Sequence, residues 1–148
     1  MKALITKTSL LICMFSLLSF NALAKEERVF KNGEYWEVSA ISIVDGQWYN
    51  YATHLSNKWR DSMEFAKSKG WINDYKVIVN EYPRKDEPDM YLITIFDEMA
   101  DRIQEEERYQ AWKKWSKDTL AERAKGFGDR VVMRHLTGDT LLRELTFR

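Results

Sequence analysis

DYKVIVNEYPRKDEPDMYLITIFD, residues 74–97, contains two apolar runs around one polar loop. Valine, isoleucine, tyrosine and phenylalanine dominate both runs, and such residues fit a pleated, half-buried surface. The sequence therefore predicts strands at 74–82 and 90–97. Between them, Pro83 and Pro88 bracket Arg84, Lys85, Asp86, Glu87 and then Asp89. Proline cannot donate to a strand ladder, so neither strand continues through this segment. Two strands joined by a short polar loop pair as an antiparallel hairpin.

The flanks of the hairpin complete the plan. Upstream, Trp48, Tyr51, Ala52, Leu55, Trp59, Met63 and Ala66 recur at spacings of three and four. That spacing gathers them on one face of a helix over 47–69, with Gly70 as its stop. Before it, EYWEVSAISIV alternates as a strand over 34–44 and ends at the turn Asp45-Gly46. Downstream, 98–135 is helical but out of phase with itself. Met99 and Ile103 open it, and Leu120, Ala124, Phe127 and Val131 form a second stripe, so a break is expected at 116–119. Glu105, Glu106 and Glu107 read as a solvated face. Thr137, Gly138 and Asp139 read as a turn into a last strand over 141–147.

The element order is strand, helix, strand, strand, helix, strand. This is the ferredoxin-like βαββαβ plan of the α+β class. It predicts a four-stranded antiparallel sheet with the helices on one face, strands one and three central, and strands two and four at the edges. The other face would have no cover within one chain.

Composition bounds the rest. Lys2 and Lys7 precede an apolar run at 10–20, and Ala22-Leu23-Ala24 supplies small residues at the cleavage positions. Residues 1–24 thus read as a signal peptide cut after Ala24, with residence in the periplasm or outside the cell. The run is too short for a permanent span, and no stable membrane insertion is expected after cleavage. Residues 25–33 are polar and read as a flexible arm, leaving 34–148 as a single domain. The one cysteine, Cys13, falls inside the signal, so no disulfide is available to the exported chain. Cleavage leaves slightly more acidic than basic residues, which disfavours nucleic acid as a partner. Two isolated histidines offer no metal-ligand spacing. There is no nucleophile motif, and Gly126-Phe127-Gly128 lacks the strand that a phosphate loop requires. No cofactor is expected.

Period-two alternation assigns strand faces. Trp36, Val38, Ala40 and Val44 form the more apolar set of strand one, which directs them to the helices. Tyr35, Glu37, Ser39 and Ile41 then face the open side. Ile78, Asn80 and Tyr82 join them from strand two, Leu92, Thr94 and Phe96 from strand three, and Leu142, Glu144 and Thr146 from strand four. The candidate ligand-binding set is Tyr35, Glu37, Ser39, Asn80, Tyr82, Thr94, Glu144 and Thr146. His135 is added one turn past Val131, at the cavity mouth. Apolar walls with a few polar groups suit a small-molecule pocket. Glu37 and Glu144 on neighbouring strands could share a proton, or could be a solvated or bridging pair. His54 is expected on the exposed side of the first helix. Trp112 and Trp115 are core residues, a lid over the cavity, or a dimer contact.

Three stretches, EYWEVSAISIVDGQWYNY at 34–51, NEYPRKDEPDMYLITIFDEM at 80–99 and LLRELTFR at 141–148, together resemble the dimeric α/β-barrel superfamily. That group includes antibiotic-biosynthesis-monooxygenase-like and stress-responsive barrel-like proteins. The chain is similar to uncharacterised secreted bacterial members in particular. The resemblance covers nearly all of residues 34–148 and implies a homodimer whose paired sheets enclose a cavity. Members of the group oxidise aromatic compounds, degrade or bind haem, or bind small molecules. The two histidines here do not reproduce the haem-degrading pattern of asparagine, tryptophan and histidine.

Three functions stay open at this stage. One is an exported protein that binds an apolar or aromatic small molecule in the barrel. Another is a cofactor-independent oxygenase or isomerase of the same fold, using Glu37, Glu144, His135 or Tyr35 for proton transfer. The third is a structural envelope dimer with a closed core.

Overall fold

The computed structural model describes residues 28–148. The expected signal peptide lies outside the described residues. The chain forms β1 (Phe30–Ile43), α1 (Trp48–His54), α2 (Arg60–Ser68), β2 (Asp74–Val79), β3 (Met90–Phe96), α3 (Arg102–Ser116), α4 (Leu120–Val131) and β4 (Arg134–Phe147). A π-helical turn at Leu55–Trp59 joins α1 to α2, so the two make one continuous rod. The strands form an open sheet in the order β2-β3-β1-β4, with every pair antiparallel. This α+β arrangement is compatible with the ferredoxin-like plan, with β1 and β3 central as expected.

Local chemistry sets most boundaries. Gly70 sits at φ +67° and ends the first helical rod. Its amide donates to the Lys67 carbonyl and that of Trp71 to the Ala66 carbonyl, which satisfies two of the carbonyls in the last turn of α2. Asp101 opens α3 by accepting from the amides of Ile103 and Gln104, while the Gln104 side chain accepts from the Asp101 amide. The expected break is present. Lys117 adopts a left-handed conformation (φ 57°), and Thr119 caps α4 reciprocally with Glu122.

Two strands start earlier than expected. β1 begins at Phe30, so Phe30 to Gly33 belong to the sheet and not to the expected arm. There Phe30 pairs with Phe147 and Lys31 with Thr146. β4 in turn begins at Arg134, and Thr137, Gly138 and Asp139 lie inside it: Gly138 pairs with Ala40 and Asp139 with Ser39, and Thr137 is the extra residue of a bulge between Ala40 and Ile41. The Thr137 hydroxyl donates to the Ala40 carbonyl at 3.1 Å across that bulge. Turn-forming residues join a strand here because their ladder partner, the far end of β1, comes from a distant part of the sequence.

The helices cover one face of the sheet, but it is the opposite face of β1 and β3 from the one expected. Ile41 and Met90 pair across the sheet and pack on Tyr51 and Leu55 of the first rod. Ile43, Trp59, Leu92 and Met133 surround them. By period two, Tyr35, Glu37, Ser39, Leu92, Thr94 and Phe96 lie on this helix side, and Trp36, Val38 and Ala40 on the open side. Both faces of a central strand are apolar here, so alternation alone could not choose between them. Ile78, Leu142, Glu144 and Thr146 remain on the open side as expected. Trp48, expected in the core stripe, is 47 % exposed.

Candidate functional site

The expected ligand-binding set is divided by the sheet. Tyr35, Glu37, Ser39 and Thr94 face the helices, whereas His135, Glu144 and Thr146 face away. Helix α4 stops at Val131, so His135 does not continue its stripe. It sits in β4 opposite Ser42, exposed. Asn80 and Tyr82 lie past the end of β2. The Asn80 amide donates to the Asp89 carbonyl and its side chain to that of Pro88, which shapes the hairpin loop. Tyr82 is 91 % exposed there.

The proposed carboxylate pair is also divided. Glu37 stands opposite Leu141 on the helix side. Glu144 lies on the other side at a bulge, where a Cβ on Gly33 would come within 2.7 Å of its Oε2. The sheet backbone separates them, so they cannot share a proton.

The helix-side residues do make a site. Arg143 donates to the Tyr35 hydroxyl at 2.6 Å, and its guanidinium lies 4.3 Å from the Tyr35 ring centre. The Tyr35 ring stacks on Phe96 at 5.7 Å. Ser39 donates to the Asp139 carboxylate at 2.6 Å. Thr94 donates to the Met63 sulfur at 3.9 Å. Glu37 lies between these groups and is exposed, because two adjoining clefts open where the helices do not close on the sheet.

The first cleft, about 550 Å³, lies between β1, β3, α2 and α3. Its lining is mainly apolar, with Met63, Trp71, Phe96, Tyr109 and Trp112 as walls. Helix α3 is held there by aromatic contacts. Trp115 stacks on Phe65 at 4.6 Å, and Arg108 lies 5.8 Å from the Trp71 ring centre. Trp115 is therefore a helix-packing residue, whereas Trp112 lines both clefts. Arg123 of α4 lies over both Trp112 and Tyr109, at 5.4 and 5.3 Å.

The second cleft, about 790 Å³, runs between the first helical rod, α4 and the β1–β4 half of the sheet. Tyr51, His54, Lys58, Arg130 and Arg134 meet at one end of it. His54 is half-buried and stacks on Tyr51 with ring centres 6.0 Å apart, so it is not on an exposed side. Burial holds its pKa below the usual histidine value, and Arg130, Lys58 and Arg134 push it the same way. Burial also lowers the Arg130 pKa, with Arg134 adding to the effect. The buried Tyr51 hydroxyl is raised by desolvation, and Arg134 offsets part of that.

A scan against protein-family models finds no match, and searches of curated proteins and of solved structures find none either. Among the described residues, no group of His, Cys, Asp and Glu is placed to hold a metal ion, and no helix is long and apolar enough to cross a membrane. Sequence reasoning missed Lys58, Arg123, Arg130 and Arg134. Spacings of four, His54 to Lys58 and Arg130 to Arg134, were visible, but their convergence depends on α4 and β4 folding back beside α1.

Proposed function

We propose that this chain is an exported small-molecule-binding protein that holds an apolar or aromatic ligand in the cleft between its sheet and helices α2 and α3. One observation carries this reading. Aromatic side chains from three parts of the chain, Trp71, Phe96 and the α3 pair Tyr109 and Trp112, wall one cavity of about 550 Å³, with Glu37 and Arg108 as polar groups at its lining. That size and chemistry suit a small organic ligand. The site lies on the covered side of the sheet, not in a barrel between two chains. The enzymatic alternative, a cofactor-independent oxygenase or isomerase, loses its best acid–base pair with the separation of Glu37 from Glu144.

A homodimer is proposed alongside it, in keeping with the resemblance to the dimeric α/β barrels. Its support is the open face. Trp36, Val38, Ile78 and Leu142 lie there with no helix over them among the described residues, and the buried Trp36 Nε1 has no acceptor. A facing copy would supply both apolar cover and an acceptor. Native mass spectrometry of the protein purified from the export compartment tests both readings. A bound small mass that is lost in Trp112→Ala supports the cleft. An empty protein that also fails to bind a panel of aromatic probes rejects it. A dimer mass that reverts to monomer in Leu142→Asp supports the face-to-face pairing, and a wild-type monomer rejects it.

A further inference from the structure

The end of the second cleft gathers three permanent cations and one imidazole without a counter-charge. Lys58 comes from the π-helical turn, Arg130 from the last turn of α4, and Arg134 from the first residue of β4. All three line the cleft beside Tyr51 and His54. Glu37, Asp118, Glu122, Asp129 and Asp139 line other parts of the same cleft, but among the described residues none of them forms an ion pair with Lys58, Arg130 or Arg134. The nearest candidate in sequence, Asp129, is held by Lys125 at 2.9 Å. The Arg134 Nε is buried and has no hydrogen-bond partner. Arg130 is spread over the Phe127 ring, 4.8 Å from its centre, which fixes its plane without neutralising it.

Clustered like charges in a partly dry site oppose one another, and an unpaired buried guanidinium donor is costly. A protein that needed only packing here would place a carboxylate or an apolar side chain among them. Guanidinium groups match the geometry of oxyanions, and an ammonium adds a mobile point charge. We infer that this end of the cleft binds the oxyanion of a small molecule, a carboxylate or a phosphate, between Arg130, Arg134 and Lys58, with the Tyr51 hydroxyl and the His54 ring beside it. The site does not depend on the apolar cleft being a ligand site, because a bare anion suffices to occupy it.

The two histidines provide the test. His54 lies in the cluster, and His135 lies on the opposite face of the sheet, so one reports and the other serves as control. Sodium sulfate, inorganic phosphate and sodium acetate are added separately to the full-chain product at fixed pH and ionic strength, and both imidazole resonances are followed by proton NMR. The expected result is a saturating shift of His54 with at least one anion and no matching shift of His135. Saturation by sulfate and phosphate alone assigns a phosphate-type ligand, and saturation by acetate assigns a carboxylate. Arg130→Gln should weaken the interaction about tenfold, the loss of one charge-assisted contact. Lys58→Gln, at an exposed position, should weaken it without disturbing the fold. Small, linear and equal shifts of both histidines up to about 50 mM anion would overturn the inference. Undiminished affinity in both variants would do so as well.

Discussion

Replacing Ile41 tests whether its face of β1 is the one packed beneath the helices. Its side chain is 1 % exposed and touches a cluster assembled from separate elements: Tyr51 and Leu55 from the first rod and Met90 from β3. Ile41→Ala removes three carbons, which at about 0.8 kcal/mol each is a loss of about 2.4 kcal/mol. The remaining void adds to this, because neighbours from different elements cannot all close on it. The expected cost is about 3–4 kcal/mol, and Ile41→Val should cost about 1 kcal/mol. For a domain of this size the larger loss is a substantial fraction of total stability. Urea unfolding followed by tryptophan fluorescence is a suitable assay, since Trp59 packs against the cluster. The midpoint should fall in the order wild type, Val, Ala with an unchanged denaturant slope. A cost below about 1 kcal/mol for Ile41→Ala would place this residue on the solvent side and refute the face assignment, and with it both clefts.

The cap and charge arrangements make smaller predictions. Asp101→Ala removes the acceptor for two amides at the start of α3 and should lower stability by about 1 kcal/mol in the same urea assay. Lys117→Gly relieves a left-handed non-glycine residue at the end of α3 and should raise stability by about 0.5 kcal/mol, the gain being reduced by glycine's greater freedom when unfolded. His54 has a folded pKa below its ordinary value, so below the ordinary value the unfolded chain binds more protons. Its contribution is thus favourable at neutral pH and declines as pH falls through about 6.5 toward the lowered folded pKa. His54→Gln should flatten the slope of urea midpoint against pH between about 5 and 7, and an unchanged slope would show that His54 is solvated.

The legible parts of this protein are those coded by neighbours in the chain. The hairpin around Pro83 and Pro88, the stop at Gly70 and the break at 116–119 each depend on a few adjacent residues, and each is present. Tyr51, Leu55 and Trp59 declare their shared face through helical spacing, and they do pack on the sheet. The element order, once known, leaves few right-handed, unknotted topologies, so β1 and β3 as central strands follow from it.

Three features were beyond that local code. The cleft-facing side of β1 could not be chosen, because Trp36, Val38 and Ala40 are as apolar as Tyr35, Ile41 and Ile43. The length of β4 was hidden because Thr137, Gly138 and Asp139 are turn formers, and only the ladder offered by β1 draws them into a bulged strand. The basic cluster was hidden because Lys58 and Arg134 are distant in sequence and meet through chain folding. Period and propensity specify which residues form each element, through interactions within a few bonds of the chain. The partner of each face, and the charges that end up side by side, follow from long-range packing, where burying Ile41 and Met90 against Tyr51 and Leu55 selects one of two nearly equal faces.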